Sequence, residues 1–253
     1  MSHEREKIYV RSSVDGDMEP SLFYRASGDE ARPLLVGLHT WSFDMYNQEG
    51  NMLPFAKKYN FHLLLPDFRG PNTAENHLCI EACASDYALG DIFDAIEYVK
   101  ENYPVDEEQI FLLGSSGGGH AALMCASRKP KLFRAIACFV PITDLYAWTL
   151  ENSNYKNNVY ACCSNDVREM ARRSPINYVE SISEANLKIF HGKYDTVVPF
   201  AHSIRLYEKI LAYNNSSRTF LEIFDGGHQM SMDKAFDWFL SQSGKEKLTV
   251  VSG

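Results

Sequence analysis

A serine, an aspartate and a histidine each follow a short apolar segment in this 253-residue sequence. Ser116 comes after QIFLL, Asp195 comes after LKIFHG, and His228 comes after TFLEIF. A serine hydroxyl becomes an effective nucleophile only when a base takes its proton and an acid orients that base. The three residue types therefore predict a nucleophile, a base and an acid that work together.

The glycines in the segment GSSGGGH (114–120) indicate which serine is the nucleophile. A nucleophile on a sharp turn between strand and helix needs neighbours without side chains at positions −2 and +2, the pattern G-x-S-x-G. Ser116 fits, with Gly114 before it and Gly118 after it, whereas Ser115 has a leucine at −2. The order Ser116, Asp195, His228 along the chain is also the order of hydrolases with this turn.

Other residues of the same types are weaker candidates for the acid and the base. Asp225 lies only three residues from His228 on the same loop, so Asp195 is the preferred acid. His120 is too close in sequence to Ser116 to approach it from the far side, and we expect it to pack in the helix.

Two further histidines have structural interpretations. His191 ends a predicted strand just before a glycine, and we expect it to support the Asp195 loop. His202 falls in a predicted helix, where a position at the protein surface is the simplest expectation.

An oxyanion formed during attack by Ser116 would need two N–H donors. We predict one at Gly117, directly after the nucleophile, and the other in the loop HTWS, at the backbone N–H of Trp41. His39 is expected to hold that loop in place rather than to take part in chemistry.

The apolar segments that precede these residues define the expected fold. Their hydrophobicity is continuous rather than alternating, and helical patterns separate them, which is typical of a mostly parallel sheet with helices on both faces. Two N-terminal segments, KIYVRSS and PSLFYRAS, predict an antiparallel hairpin at one edge. The predicted parallel strands are LLVGLH (34–39), FHLLLP (61–66), QIFLLG (109–114), RAIACFVP (134–141), LKIFHG (187–192) and TFLEIF (219–224). Ligands bind beyond the carboxyl ends of such strands, where the three candidate residues lie.

Composition bounds the partners and the compartment. The hydrophobic fraction is 45% and the charged fraction 23%, as in globular proteins. A formal charge of −8 without a basic patch argues against nucleic acid or an anionic membrane surface as a partner. The charged start MSHEREKIYV and the lack of an apolar segment of roughly 18 residues favour a cytoplasmic location, unless an export signal has been removed. The sequence leaves the oligomeric state open.

The six cysteines and the glycine-rich segment give no cofactor signal. Cys125 and Cys138 lie in apolar segments and are expected in the core. The pairs Cys79/Cys83 and Cys162/Cys163 lie in loop-like sequence, where a disulfide is possible but not required. No histidine has finger-like spacing from these pairs, so we expect no metal site. GSSGGGH also lacks the dinucleotide spacing and the P-loop lysine.

These segments resemble the α/β-hydrolase superfamily and, more narrowly, the catalytic domain of the prolyl oligopeptidase family. The narrower likeness lies in GSSGGGHAAL, in FDGGH and in RSPINYVESISEANLKIFHGKYDTVVPFAHSIRLYEKI. The resemblance implies one α/β-hydrolase domain over residues 1–253, an eight-stranded sheet and a Ser116–Asp195–His228 triad. It also implies a cap inserted at about residues 145–172.

The resemblance favours esters as small-molecule substrates. Stand-alone domains of this type are mostly esterases, some of which remove acetyl or hydroxycinnamoyl groups from carbohydrates. An aminopeptidase or dipeptidase and a catalytically inactive binding protein are the alternatives.

In this sequence LHTWS replaces the glycine-rich segment usual in the superfamily. The aromatic residues Trp41, Trp148, Tyr155 and Tyr160 are predicted to wall the substrate pocket, or else to pack within the cap.

Overall fold

Residues 4–244 are described by the computed structural model, and they form one eight-stranded sheet flanked by helices. The strand order is β1-β2-β4-β3-β5-β6-β7-β8. The strands are β1 (Arg5–Arg11), β2 (Met18–Tyr24), β3 (Arg32–Leu38), β4 (His62–Pro66), β5 (Val105–Ser115), β6 (Ala135–Phe139), β7 (Leu187–Gly192) and β8 (Thr219–Phe224). β3 to β8 run parallel, and β2 is antiparallel to both of its neighbours. The predicted α/β fold, its mostly parallel sheet and its antiparallel edge are confirmed.

Nine α-helices connect these strands within the described part of the chain. They are α1 (Glu49–Tyr59), α2 (Asp86–Asn102), α3 (Gly117–Arg128), α4 (Leu145–Glu151), α5 (Ser153–Cys162), α6 (Val167–Arg172), α7 (Val179–Ile182), α8 (Ala201–Tyr213) and α9 (Met232–Gln242). The helical patterns expected between the apolar segments are thus present as helices.

The sheet separates two hydrophobic layers because successive side chains of a strand point to opposite faces. In β5, Leu112 packs with α2, α3 and α8, whereas Phe111 packs with α1 and α9. Both side chains are fully buried. The continuous apolar segments are explained by this burial on two sides, and the sheet becomes a rigid base for the loops at its carboxyl end.

Three short helices, α4 to α6, follow β6 and occupy the segment predicted as a cap. A third hydrophobic cluster joins this segment to the loop after β3, with Trp41 and Trp148 at its centre. Asp144 and Asn152 cap the starts of α4 and α5, with side chains that accept hydrogen bonds from backbone amides. None of the helices in residues 4–244 is both long and apolar enough to cross a bilayer.

Candidate active site

Ser116 lies on a strained turn between β5 and α3. Its φ of 56° and ψ of −118° are unusual for a residue with a side chain, and its amide donates to the Phe139 carbonyl at 2.9 Å. A Cβ on Gly118 would lie 2.5 Å from the Leu38 carbonyl oxygen, and one on Gly114 would lie 2.1 Å from the Gly118 oxygen. The flanking glycines are therefore required by close backbone approach, which is the reason the G-x-S-x-G pattern was informative.

The loops after β7 and β8 are joined by backbone contacts. The amide of Lys193 donates to Phe224 at 2.9 Å, and that of Tyr194 donates to Gly226 at 2.8 Å. A Cβ on Gly192 would lie 2.1 Å from the Gly227 carbonyl oxygen, so only glycine permits this approach. The contact brings together Asp195 and His228, which are 33 positions apart in sequence.

Asp195 and His228 form a hydrogen bond of 2.7 Å between Oδ2 and Nδ1. The Asp195 side chain is fully buried, and that of His228 is 24% exposed. Burial of the carboxyl opposes ionisation, but hydrogen bonds from His191, His228 and the Val198 amide outweigh it and hold the pKa of Asp195 well below its usual range. A carboxylate only accepts hydrogen bonds, so the hydrogen of His228 lies on Nδ1 and its Nε2 is free to act as a base.

Ser116 and His228 line the same pocket, which also contains Ser115. Among residues 4–244, no hydrogen bond joins the Ser116 hydroxyl to His228. Catalytic hydrogen bonds are often long in ligand-free structures and tighten when substrate binds. The structure therefore brings all three predicted residues to one site, with the acid–base contact formed and the serine beside it.

The backbone of Trp41 packs directly against Gly117. A Cβ on Gly117 would lie 2.6 Å from both the amide nitrogen and the Cα of Trp41. Gly117 is the first residue of α3, where amides have no acceptor within the helix. Both predicted oxyanion donors are thus adjacent to each other and next to Ser116.

Polar contacts hold the Trp41 loop, but they leave two buried nitrogens without partners. The His39 ring lies 2.9 Å from the Thr40 carbonyl oxygen and 2.8 Å from that of Asp67, and the Asn72 amide donates to the Trp41 carbonyl at 2.7 Å. Nε1 of Trp41 and Nδ1 of His120 have no hydrogen-bond partner in the described residues. The two rings are 6.2 Å apart between centroids. We call Trp41, Gly117 and His120 the oxyanion side of the site, and Asp195 with His228 the acid–base side. The oxyanion side is therefore less completely hydrogen bonded than the acid–base side.

His120 contributes structurally to this region, as its sequence position suggested. Its Nε2 donates to the Arg173 carbonyl oxygen at 2.6 Å, and the ring is fully buried. Burial disfavours the charged form, and together with the nearby Arg173 charge it lowers the pKa of His120 to about 4, against the opposing hydrogen bond to the Arg173 carbonyl.

The pocket in front of Ser116 has a volume of about 340 Å³. Its lining combines polar and apolar side chains and, among the described residues, contains no Asp, Glu, Lys or Arg; His228 and Tyr155 are its titratable residues. The lining residues are Thr40, Trp41, Ser42, Phe43, Gln48, Asn51, Ser115, Ser116, Tyr155, His228, Gln229, Met230 and Met232. Gln48, Asn51, Met230 and Met232 were not anticipated. Of these four, only Met230 and Met232 could have been expected at the pocket from the sequence, because they lie two and four residues after His228.

Two of the four aromatic residues predicted to wall the pocket do so. Trp41 and Tyr155 line it, whereas Trp148 is fully buried and Tyr160 lies outside the lining. Trp148 stacks on Tyr155 with centroids 4.7 Å apart, and its Nε1 donates to Val197 at 2.9 Å. Trp148 therefore does not wall the pocket, which corrects that prediction; it packs within the cap against Tyr155, which does line the pocket.

The remaining candidates of the sequence lie outside the acid–base contact. Asp225 is exposed, and His228 is bonded to Asp195 instead. The expected surface position of His202 is wrong: it is fully buried, and its Nε2 donates to Glu151 at 2.7 Å, tying α8 to the end of α4.

All six cysteines are free thiols. Cys83, Cys162 and Cys163 are buried in one hydrophobic cluster against which Cys79 packs, so the two loop-like pairs of the sequence meet there. Within residues 4–244, no group of three or more His, Cys, Asp or Glu side chains is arranged to hold a metal ion.

Several known proteins are similar to parts of this chain. Acylamino-acid-releasing enzyme of Mus musculus is 24% identical over 176 residues, which are 65% of this chain and 24% of that protein. S-formylglutathione hydrolase of Rattus norvegicus is 41% identical over 48 residues, 19% of this chain and 17% of that protein. Inactive dipeptidyl peptidase 10 of Mus musculus is 26% identical over 117 residues, 46% of this chain and 14% of that protein. The matched regions span less than a quarter of these relatives.

Solved structures share the fold at low sequence identity. The acylaminoacyl peptidase of Pyrococcus horikoshii superposes with a TM-score of 0.76 at 17% identity, over 96% of this chain and 40% of that one. Oligopeptidase B from Leishmania major gives 0.71 at 16% identity, over 95% and 35%. In the sequence comparison, the Prolyl oligopeptidase family matches residues 49–242, more than half of the chain. The protein therefore belongs to the prolyl oligopeptidase family of serine hydrolases, on an α/β-hydrolase fold.

Proposed function

We propose that the chain is a serine hydrolase that cleaves carboxylic esters through Ser116, His228 and Asp195. The observation that carries this proposal is the 2.7 Å contact between Asp195 and His228 at the wall of the pocket that contains Ser116. The strained backbone of Ser116 supports it, because such strain persists where the surroundings enforce it and is common at nucleophiles.

The proposed mechanism follows from the protonation of His228. Nε2 takes the proton of the Ser116 hydroxyl while Oγ bonds to the ester carbonyl carbon, and Asp195 stabilises the resulting imidazolium. The amides of Gly117 and Trp41 donate to the oxyanion. When the carbonyl re-forms, the alcohol leaves with the proton from Nε2. A water molecule that gives its proton to His228 then releases the acid from Ser116 by the same steps.

The pocket lining supports an uncharged acyl group as the substrate. Hydroxyl and amide side chains in the lining, as in Ser42 and Gln229, offer hydrogen bonds to neutral polar groups, and Tyr155, Met230 and Met232 offer apolar surface. Acetyl and hydroxycinnamoyl esters of carbohydrates fit this description. The similarity to S-formylglutathione hydrolase is a second support for ester cleavage.

Cleavage of acylated peptides is the second candidate. The observation that favours it is the similarity to acylamino-acid-releasing enzyme over 65% of this chain. Here His228 would protonate an amine instead of an alcohol, with the other steps unchanged.

A panel of chromogenic substrates tests the proposal and separates the candidates. Acetyl, butyryl and feruloyl esters would be compared with an acetyl-aminoacyl anilide and a free aminoacyl anilide. We expect the highest kcat/KM on an ester and a loss of about 10⁶ in turnover in Ser116→Ala. Faster turnover of the acetylated anilide would favour the peptidase.

The same variant tests whether the chain is catalytic at all, since one similar protein is described as inactive. Ester hydrolysis that survives Ser116→Ala would refute the nucleophile. If instead the parent protein hydrolysed no substrate of the panel and a fluorophosphonate probe failed to add its mass to Ser116, a binding function would replace the enzymatic one.

A further inference from the structure

The histidine at the end of β7, His191, is fully buried and contacts Asp195 directly. Its Nε2 lies 3.3 Å from Oδ2 of Asp195 and 2.8 Å from the Val198 carbonyl oxygen. Its Nδ1 lies 2.7 Å from the hydroxyl of Ser203 on α8. The sequence indicated only general support for the loop, whereas these contacts reach the acid itself.

The partners of His191 fix which ring nitrogen carries a hydrogen. Nε2 faces two acceptors, a carbonyl oxygen and a carboxylate oxygen, so it must be protonated to avoid repulsion between lone pairs. This holds for the neutral ring and for the imidazolium alike. In the neutral ring Nδ1 is an acceptor, and the Ser203 hydroxyl donates to it. The acceptors at Nε2 therefore select the tautomer, and the Ser203 hydroxyl satisfies Nδ1 and holds the ring in place.

Asp195 accepts three hydrogen bonds and lies 3.3 Å from a further N–H group, on Nε2 of His191. The amides of Val197 and Val198 donate to Oδ1 at 2.8 and 2.9 Å, and His228 and His191 share Oδ2. His191 and His228 are the titratable groups that contact this carboxylate, one from β7 and one from the loop after β8. Every donor that stabilises the carboxylate weakens its attraction for the proton of the other imidazole.

We propose that His191, held by Ser203, is a positioning residue that donates to Asp195 and thereby limits how strongly Asp195 stabilises the protonated form of His228. This inference rests on the proposed function. Because of this contact, His228 stays unprotonated, and therefore able to act as a base, at lower pH than it would beside Asp195 alone. His191 also fixes the carboxylate plane against rotation.

The test is the pH dependence of fluorophosphonate labelling at Ser116, which requires no knowledge of the natural substrate. His191→Met removes the donor at similar volume, and His191→Gln keeps an N–H at the position of Nε2. We expect His191→Met to move the half-maximal pH of the acid limb upward by about half to one unit. We also expect it to slow labelling at the optimum by about ten-fold, as loss of a supporting partner does elsewhere. His191→Gln should restore the acid limb of the parent.

Ser203→Ala provides a second test if His191→Met fails to fold. Loss of the hydroxyl leaves Nδ1 without its hydrogen-bond partner and loosens the ring against Asp195, so the acid limb should move in the same direction by a smaller amount. An acid limb that stays at the parent pH in both folded variants would overturn the proposal, even if their rates fall, because packing alone would lower the rate without changing titration.

An NMR measurement separates failure of this proposal from failure of the proposed function. In protein labelled with ¹⁵N-histidine, the Nδ1–H proton of His228 should move to lower field in His191→Met, since Asp195 then binds it more strongly. An unchanged resonance would overturn the role of His191 whether or not the protein is an enzyme. An absence of labelling at Ser116 in the parent, by contrast, would refute only the proposed function.

Discussion

The loop that carries Asp195 and the loop that carries Trp41 lie at the same end of the sheet but satisfy their buried polar atoms differently. Asp195 accepts three hydrogen bonds, and His191 is bonded at both ring nitrogens. On the opposite side, Nε1 of Trp41 and Nδ1 of His120 are buried without a partner in residues 4–244. A buried polar atom without a hydrogen-bond partner lowers the free energy of unfolding by about 1–3 kcal/mol.

This difference shows where the site is tightly defined and where it depends on packing. The acid–base side is positioned by directional hydrogen bonds that include the reacting residues. On the oxyanion side, hydrogen bonds of His39 and Asn72 hold the Trp41 loop, but Gly117 meets the Trp41 backbone, and the indole meets Trp148, by van der Waals contact. We therefore expect the oxyanion side to be sensitive to small changes in volume and to protonation of its unpaired nitrogen.

The largest effect is expected from Gly117→Ala. The added methyl would lie 2.6 Å from the Trp41 amide nitrogen and must displace that loop, while the contact between Asp195 and His228 stays intact. Loss of one oxyanion donor typically lowers kcat by about 10²–10³. The measurement is kcat on the best ester substrate from the panel.

Gly50→Ala is the matched control for this substitution. Gly50 lies in α1, where an added methyl meets nothing within 4 Å. It should leave kcat unchanged and raise the free energy of unfolding by up to about 1 kcal/mol through helix propensity. Equal activity of Gly117→Ala and Gly50→Ala would show that the Trp41 loop does not hold the oxyanion.

A smaller effect is expected on the pH dependence of stability. The pKa of His120 is lowered from 6.5 to about 4 by burial, so the unfolded chain takes up this proton first as the pH falls. The stability contribution is therefore complete above pH 6.5 and is lost between pH 6.5 and 4, by about 3 kcal/mol in total. Asp195, with its lowered pKa, acts in the same sense but at lower pH: its contribution is complete above the unfolded value near 4 and is lost as the pH falls below that value.

His120→Gln should flatten this loss, since glutamine retains an N–H for the Arg173 carbonyl but does not titrate. Urea unfolding at pH 7 and pH 4.5 measures the difference. His77→Gln, at an exposed histidine, is the control and should retain the slope of the parent. A parent-like slope in His120→Gln would mean that, in the folded parent protein, the protonated Nδ1 of His120 donates a hydrogen bond to an acceptor. The contrast between the two sides of the site would then disappear.

The loop positions of Ser116, Asp195 and His228 could be predicted from local sequence, for a physical reason. Glycines at 114, 118 and 192 are required by close backbone approach, so the pattern around Ser116 and Asp195 reports three-dimensional constraint directly. The strand ends then follow from continuous hydrophobicity in β5, β7 and β8. Constraints of this kind act within one segment, so they can be recognised from the sequence of that segment alone.

Pocket walls and buried polar pairs depend instead on contacts between distant segments. Trp148 was expected at the pocket because it is aromatic and lies in the cap, but its indole donates to Val197, 49 residues away, and is buried behind Tyr155. His202 was expected at the surface because its helix is amphipathic, yet it is bonded to Glu151 of α4. No pattern within either segment specified these partners.

The smallest predicted effect compares two tryptophans in one cluster, whose rings are 4.9 Å apart. Trp148→Phe breaks the 2.9 Å hydrogen bond to Val197, whereas Trp41→Phe removes an N–H that has no partner in the described residues. Both lose similar ring volume at buried positions, so the difference between them isolates the N–H groups. We expect Trp148→Phe to lower the free energy of unfolding by about 1–2 kcal/mol more than Trp41→Phe, measured by urea unfolding. Equal losses would show that the Trp41 nitrogen is hydrogen bonded in solution, and a buried water between Trp41 and His120 would then be the simplest partner.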